Sequence, residues 1–252
     1  MAHPAGRLRF VPAPAADDAR FAVGRVLLVV FVVIMTLHLA SVTVQTQLRP
    51  DNRAVTDVLS LVNAGTERSL ASWWTAALLA LSGVAATTAS WLARRLAGRN
   101  REARAWLLLA AVFALLSLDE AVSLHERGAR WSVAVFDTDS LLARLGWTIP
   151  AAAALAASLL VLVPAFRAVP ARPRRLIVAG LATAIAGALG MEVVHVLLTE
   201  SGAGYLWRHL AMVTEEAAEL AGVGIVLLGV LTAVRVGTAG SRLTLAYTDD
   251  DR

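Results

Sequence analysis

Residues 21–44 read FAVGRVLLVVFVVIMTLHLASVTV, an apolar run interrupted only by Arg25 near its start and His38 near its end. A helix crosses the hydrocarbon core of a bilayer with about 20 residues, and inside lipid a spanning segment must bond its own backbone. The run is long enough to cross, and no small-residue cleavage site follows it, so it is expected to remain as a first span and not to be removed as a signal peptide. Five more stretches have the same character, at about 73–92, 106–124, 147–166, 176–198 and 210–234. The expectation is an all-α, polytopic transmembrane bundle of six spans. Residues 1–20, rich in Pro and Ala, are expected to form a disordered tail, and residues 236–252 a second, polar tail.

Composition agrees. Of 252 residues, 58% are hydrophobic and 17% charged, against about 45–50% and about 25% in soluble domains. Six of the seven Trp residues fall at the ends of the expected spans, where an indole ring is apolar on its face and wet at its N–H. All 23 basic residues are Arg. Sixteen of them lie in the N-terminal stretch, the second and fourth connections and the C-terminal stretch. Because basic residues are retained on the cytoplasmic side, this distribution predicts both termini inside. Arg spread over loops, with no single patch, argues against a nucleic-acid partner. The absence of Cys excludes disulfides and thiolate chemistry. A bilayer is the expected partner, a bacterial inner membrane the expected location, and a protein partner or homo-oligomer stays open. In the first connection, Val58–Val62 reads as a short helix lying on the membrane surface.

The informative residues are ionisable groups within the spans, which are costly in lipid and commonly functional. The third span ends SLDEAVSLHE, residues 117–126, with Asp119, Glu120, His125 and Glu126. The fifth carries Glu192 and His195, the sixth Glu215, Glu216 and Glu219, and the first His38. In the inside-out orientation all of them fall in the outer part of the membrane. At about 100° per residue, Asp119 and Glu126 share a helix face. Glu192 and His195 are i, i+3 neighbours, on a face that extends back through Ala188, Ala184 and Gly180, a small-residue stripe suited to close packing.

One chemistry that needs such a set is a metal centre, since Glu-x-x-His on one helix with carboxylates from others holds metals in helical bundles. On that reading Asp119, Glu126, Glu192, His195, Glu215 and Glu219 are ligands, with Glu120, His125 or Glu216 as supporting groups or general base. Iron, manganese or zinc would suit the donors, and a metal-dependent enzyme follows as one option. A second reading is a proton-coupled transporter or permease that uses the same carboxylates. A third is a membrane scaffold or assembly subunit. The bland alternative is a solvated vestibule in which Asp119 and Glu120 pair with Arg127, Arg130 or Arg208. His38 alone is more often a packed histidine than a ligand.

Three strings resemble uncharacterised bacterial multi-pass membrane proteins: ERSLASWW at 67–74, SLDEAVSLHE at 117–126 and EEAAELAG at 215–222. The chain departs from that pattern with Ala71 where Pro is expected. The resemblance brings no reaction. It implies that Glu67, just outside the second span, belongs with the outer polar group.

Overall fold

The computed structural model describes residues 15–124, 148–239 and 242–248. Among them are seven helices: α1 (Ala15–Gln47), α2 (Arg53–Val62), α3 (Leu70–Arg95), α4 (Asn100–Val122), α5 (Thr148–Ala168), α6 (Ala171–Glu200) and α7 (Tyr205–Leu231). Five of these, α1 and α3–α6, contain stretches long and apolar enough to cross a membrane. α7 is long enough, but its three glutamates set it apart from that group. α1 begins at Ala15 and so takes in residues 15–20, which the sequence assigns to the tail.

The outer surface is what a lipid-embedded bundle requires. Leu28, Val29 and Val32 on α1, Leu81 and Val84 on α3, and Leu160 and Val161 on α5 are all more than half exposed. Apolar exposure on this scale is uncommon in soluble monomers. Hydroxyls within these helices bond back into their own backbone. Thr36 donates to Val32 O (2.7 Å), Thr43 to Leu39 O (2.7 Å), Ser82 to Leu78 O (2.8 Å) and Thr183 to Ala179 O (2.9 Å). That leaves no hydroxyl of this set without a partner. Trp73, Trp91 and Trp207 project outward at helix ends, as interfacial Trp residues do.

Inside, two helix pairs carry the core. α3 lies along α4, with Leu78, Trp106, Leu109 and Phe113 almost fully buried, and α6 lies along α7, with Ile177, Val226 and Val230 buried. The α6–α7 seam is the tighter. A Cβ on Gly222 would stand 2.6 Å from both Ala184 N and Gly180 O, and one on Gly180 would stand 2.6 Å from Gly222 O. The two backbones therefore touch, the small-residue solution to helix association where no hydrophobic effect drives it. α2 is capped by Asn52, whose side chain accepts from Ala54 N (2.9 Å), and has no buried residue. It covers the expected short helix at Val58–Val62.

Two departures from the sequence reading matter. α4 stops at Val122, and Ser123 closes it in the left-handed region (φ 52°). The helical spacing that put Asp119 and Glu126 on one face is broken there. The second departure is a β-hairpin, β1 (Val234–Ala239) and β2 (Arg242–Tyr247), paired antiparallel with Val234 opposite Tyr247. It occupies part of the stretch read as a polar tail and folds back on the bundle. Thr248 N donates to Ala233 O (3.0 Å), and Arg20 donates to Val234 O (3.3 Å).

The hairpin is fastened by Tyr247. Its hydroxyl donates to Glu102 Oε2 (2.7 Å) and accepts from Nε1 of the fully buried Trp106 (2.8 Å), while Arg99 holds the other Glu102 oxygen (3.1 Å). Burial first, and then the bond to the Glu102 carboxylate, push the phenol pKa above the usual tyrosine range; the Trp106 donor opposes this. A proton bound more tightly in the folded than in the unfolded state stabilises docking fully below the unfolded tyrosine value of about 10. That contribution is lost as pH climbs through the higher folded value. Tyr247→Phe should leave the Trp106 N–H without an acceptor, at a cost of about 1–3 kcal/mol. Hydrogen exchange of the 234–247 amides should rise in the variant at neutral pH, and its alkaline step should vanish. Unchanged exchange would mean that the hairpin is held elsewhere.

Candidate functional site

The acidic residues meet at one end of the bundle, near the end of α4 and about three turns into α7. Glu216 on α7 lies within electrostatic reach of Glu120 on α4 and of Glu67 in the turn before α3. Its neighbour Glu215 lies within reach of Glu192 on α6. Ser123, the left-handed terminator of α4, donates its hydroxyl to Glu67 Oε2. Carboxylates from α4, α6, α7 and the α2–α3 turn thus form one connected group. All are half-buried, as are Asp119, His195 and Glu219. Glu67 belongs to the group as the resemblance implied; helical spacing alone does not reveal it.

How α6 presents Glu192 is a matter of register. A regular α-helix turns about 100° per residue, so twelve residues beyond Gly180 a side chain points about 120° away from the α7 seam. The stripe Gly180, Ala184, Ala188 drifts off that seam. α6 corrects the drift with a π-helical turn over Ala186–Met191. The turn accommodates one extra residue and brings Glu192 back to within about 20° of the seam. Gly187, not Ala188, then meets α7: a Cβ there would stand 2.9 Å from Glu215 O and 3.1 Å from Glu219 Cγ. His195, one helical step on, falls on the same side, and its carbonyl accepts from Thr199 Oγ1 (2.9 Å). Turns of this type often mark functional positions.

Among the described residues, no three His, Asp or Glu side chains converge in a geometry able to hold a metal ion. His125 and Glu126, two members of the expected set, lie outside the described residues, as do Arg127 and Arg130.

His38 is a packed histidine. It is fully buried in α1, with its Nδ1 3.1 Å from Ala64 N and 3.0 Å from Asn63 Oδ1, which accepts from Gly65 N (3.1 Å). The His38 ring stacks on His209 (centroids 6.1 Å apart), and His209 on Tyr205 (5.5 Å). The three rings tie α1 to the start of α7, beside the acidic group. Nothing in the spacing of His38 and His209, far apart in sequence, announces that contact.

Residues 26–234 match the domain of unknown function DUF8692. The chain belongs to that family. The DUF8692 match begins inside α1, ends at the first residue of β1, and takes in every acidic residue of the group. Most of the hairpin lies beyond it. No curated protein and no solved structure matches the chain.

Proposed function

We propose that this DUF8692 protein is a six-span membrane protein, with α7 as the sixth span and both termini inside, that moves protons through its outward-facing carboxylate group in exchange for or together with a small solute. A bacterial inner membrane suits the arrangement. The observation that carries the reading is the run of carboxylates within electrostatic reach of one another, Glu192, Glu215, Glu216, then Glu120 and Glu67, which links three helices and a connecting turn. Like charges crowded at membrane depth are tolerated when a proton or cation passes among them, and such residues line proton relays. Glu216 stands at the junction of the two halves. The α6 π-turn and the α6–α7 glycine seam support a role for α6 as the element that sets Glu192 against its partner.

The test uses vesicles reconstituted with the full chain and a trapped pH dye, offered a panel of amino acids, sugars and inorganic cations from outside. At least one should produce a protein-dependent pH change inside, reduced on the order of tenfold or more in Glu216→Gln. If no solute moves protons, or if Glu216→Gln transports like the wild type, the proposal fails.

A metal-centred reading has one specific support, the presentation of both Glu192 and His195 on the α7 side of α6. It requires iron, manganese or zinc to be drawn there with help from residues 125–126. Elemental analysis of the purified protein beside the Glu192→Ala, His195→Ala variant checks it. Near-stoichiometric metal, lost in the variant, would favour it over proton coupling.

A further inference from the structure

At the opposite, arginine-rich end of the bundle, α4 opens with an electrostatic conflict. Its N-terminal turns carry Arg101 and Arg104, cations at the positive end of a helix dipole, where acids are favoured. The N-cap position is Arg99, with no side-chain cap bond; Asn100 N–H bonds to Gly98 O (3.2 Å), and the N–H groups of Arg101 and Glu102 lack the side-chain oxygen usual at a helix start. The one acid of that turn, Glu102, is already engaged by Arg99 and Tyr247. Among the described residues neither Arg101 nor Arg104 has an ion-pair or hydrogen-bond partner.

Beside them the surface is hollow. A groove of about 510 Å³ runs between α4 and α5, with Arg101 and Arg104 at its mouth and Leu108, Val161 and Ala165 along it. A second hollow of about 230 Å³, between α3 and α4, is lined by Arg94, Leu107 and again Arg104. Arg104 therefore stands on the ridge between two hollows that are charged at one end and apolar at the other. α5, which bounds the larger one, packs on α4 through only a few residues near this end, among them Leu162, Ala165 and Phe166.

We propose that the ridge and groove seat an anionic phospholipid, its phosphate held by Arg101, Arg104 and the open N–H groups of α4, and an acyl chain laid along Leu108 and Val161. The charge complementarity selects the occupant. A phosphate supplies the negative charge that this helix end lacks, guanidinium groups bind it in bidentate fashion, and basic hollows between spanning helices are suited to lipid headgroups. The apolar length of the groove distinguishes a lipid from free phosphate, and its position at the membrane boundary from a soluble anion.

Native mass spectrometry of the full chain, exchanged into detergent with equal amounts of phosphatidylcholine and phosphatidylglycerol, provides the test. The wild type should retain phosphatidylglycerol roughly tenfold over phosphatidylcholine. Arg101→Gln with Arg104→Gln should abolish the preference, and Val161→Trp, which fills the groove without altering charge, should reduce retention of the lipid. A control, Arg172→Gln with Arg174→Gln, should retain the preference. Excess inorganic phosphate should not displace the lipid. If the control loses the preference equally, if Val161→Trp has no effect, or if inorganic phosphate competes it away, the site is general basic charge or a phosphate site and the proposal is overturned. Melting temperatures of all variants in neutral lipid separate a failure to fold from a failure to bind.

Discussion

Gly222→Val is expected to be the most damaging single substitution in the bundle, lowering stability by about 3 kcal/mol. The reason is the identity of the atoms that a side chain would strike. At Gly222 the first neighbours of a Cβ are Ala184 N and Gly180 O, both at 2.6 Å. A flexible side chain gives way at little cost, whereas two helical backbones must separate along their whole crossing. The crossing also fixes Gly187 against Glu215, so the separation would propagate to the carboxylate group. Gly224→Ala is the matched control on the same helix, because a Cβ there meets nothing within 4 Å. It should be neutral or stabilising by up to about 1 kcal/mol, the helix propensity difference. Thermal melting in detergent, followed through the intrinsic Trp fluorescence, distinguishes the two. Equal melting of Gly222→Val and Gly224→Ala would refute the backbone crossing.

The second large effect concerns register. Deleting Gly190 from the π-turn should convert α6 to a regular helix yet keep Glu192 facing α7, because the turn contains one residue more than a regular helix needs. Inserting one Ala after Gly190 should turn Glu192 by about a further 100° and remove it from Glu215. The chain has no Cys, which makes the comparison clean. With Cys introduced at Glu192 and Glu215, a short bifunctional maleimide should cross-link α6 to α7 in the parent and in the deletion, and not in the insertion. Loss of cross-linking in both would show that the π-turn is needed for its shape and not for its register.

These two features measure what the sequence disclosed. The apolar runs and the Trp residues at their ends identified the long helices, because lipid imposes a length and leaves the backbone no alternative to helix. The Gly180–Ala184 stripe predicted a close helix contact, and the structure has it. The same stripe carried on through Ala188 drifts from the seam, and nothing in AGALGM distinguishes a π-turn from ordinary helix. Glu192 lies within reach of Glu215 on α7 through a device that the stripe does not announce. Ser123 was equally silent, since a left-handed residue that is not Gly carries no compositional mark. The hairpin was legible in principle: VRVGTA and RLTLAY alternate in polarity and are separated by Gly240-Ser241, a pair typical of two-residue turns. Next to six long apolar segments, two strands of six residues were a faint signal. Of the acidic group, the members within helices were visible as charges in lipid. Glu67 lies in a turn, where charge is ordinary, and His209 acquires its meaning only from the ring it stacks on.

The clasp between Arg20 and Val234 has a consequence for how such a chain is built. α1 packs on α2, α7 and β1, and its Ile34 and Met35 share a buried cluster with Ala64, Ala71 and Leu220. Its contacts with α2 and with Asn63 and Ala64 can form early, whereas the stacking of His38 on His209 and the bond from Arg20 to Val234 wait for α7 and β1. Contacts so distant in sequence form late. A ribosome stalled before α7 would leave α1 joined to the α2–α3 turn but with the ring face of His38 that meets His209 uncovered, a state that membrane quality control is placed to recognise.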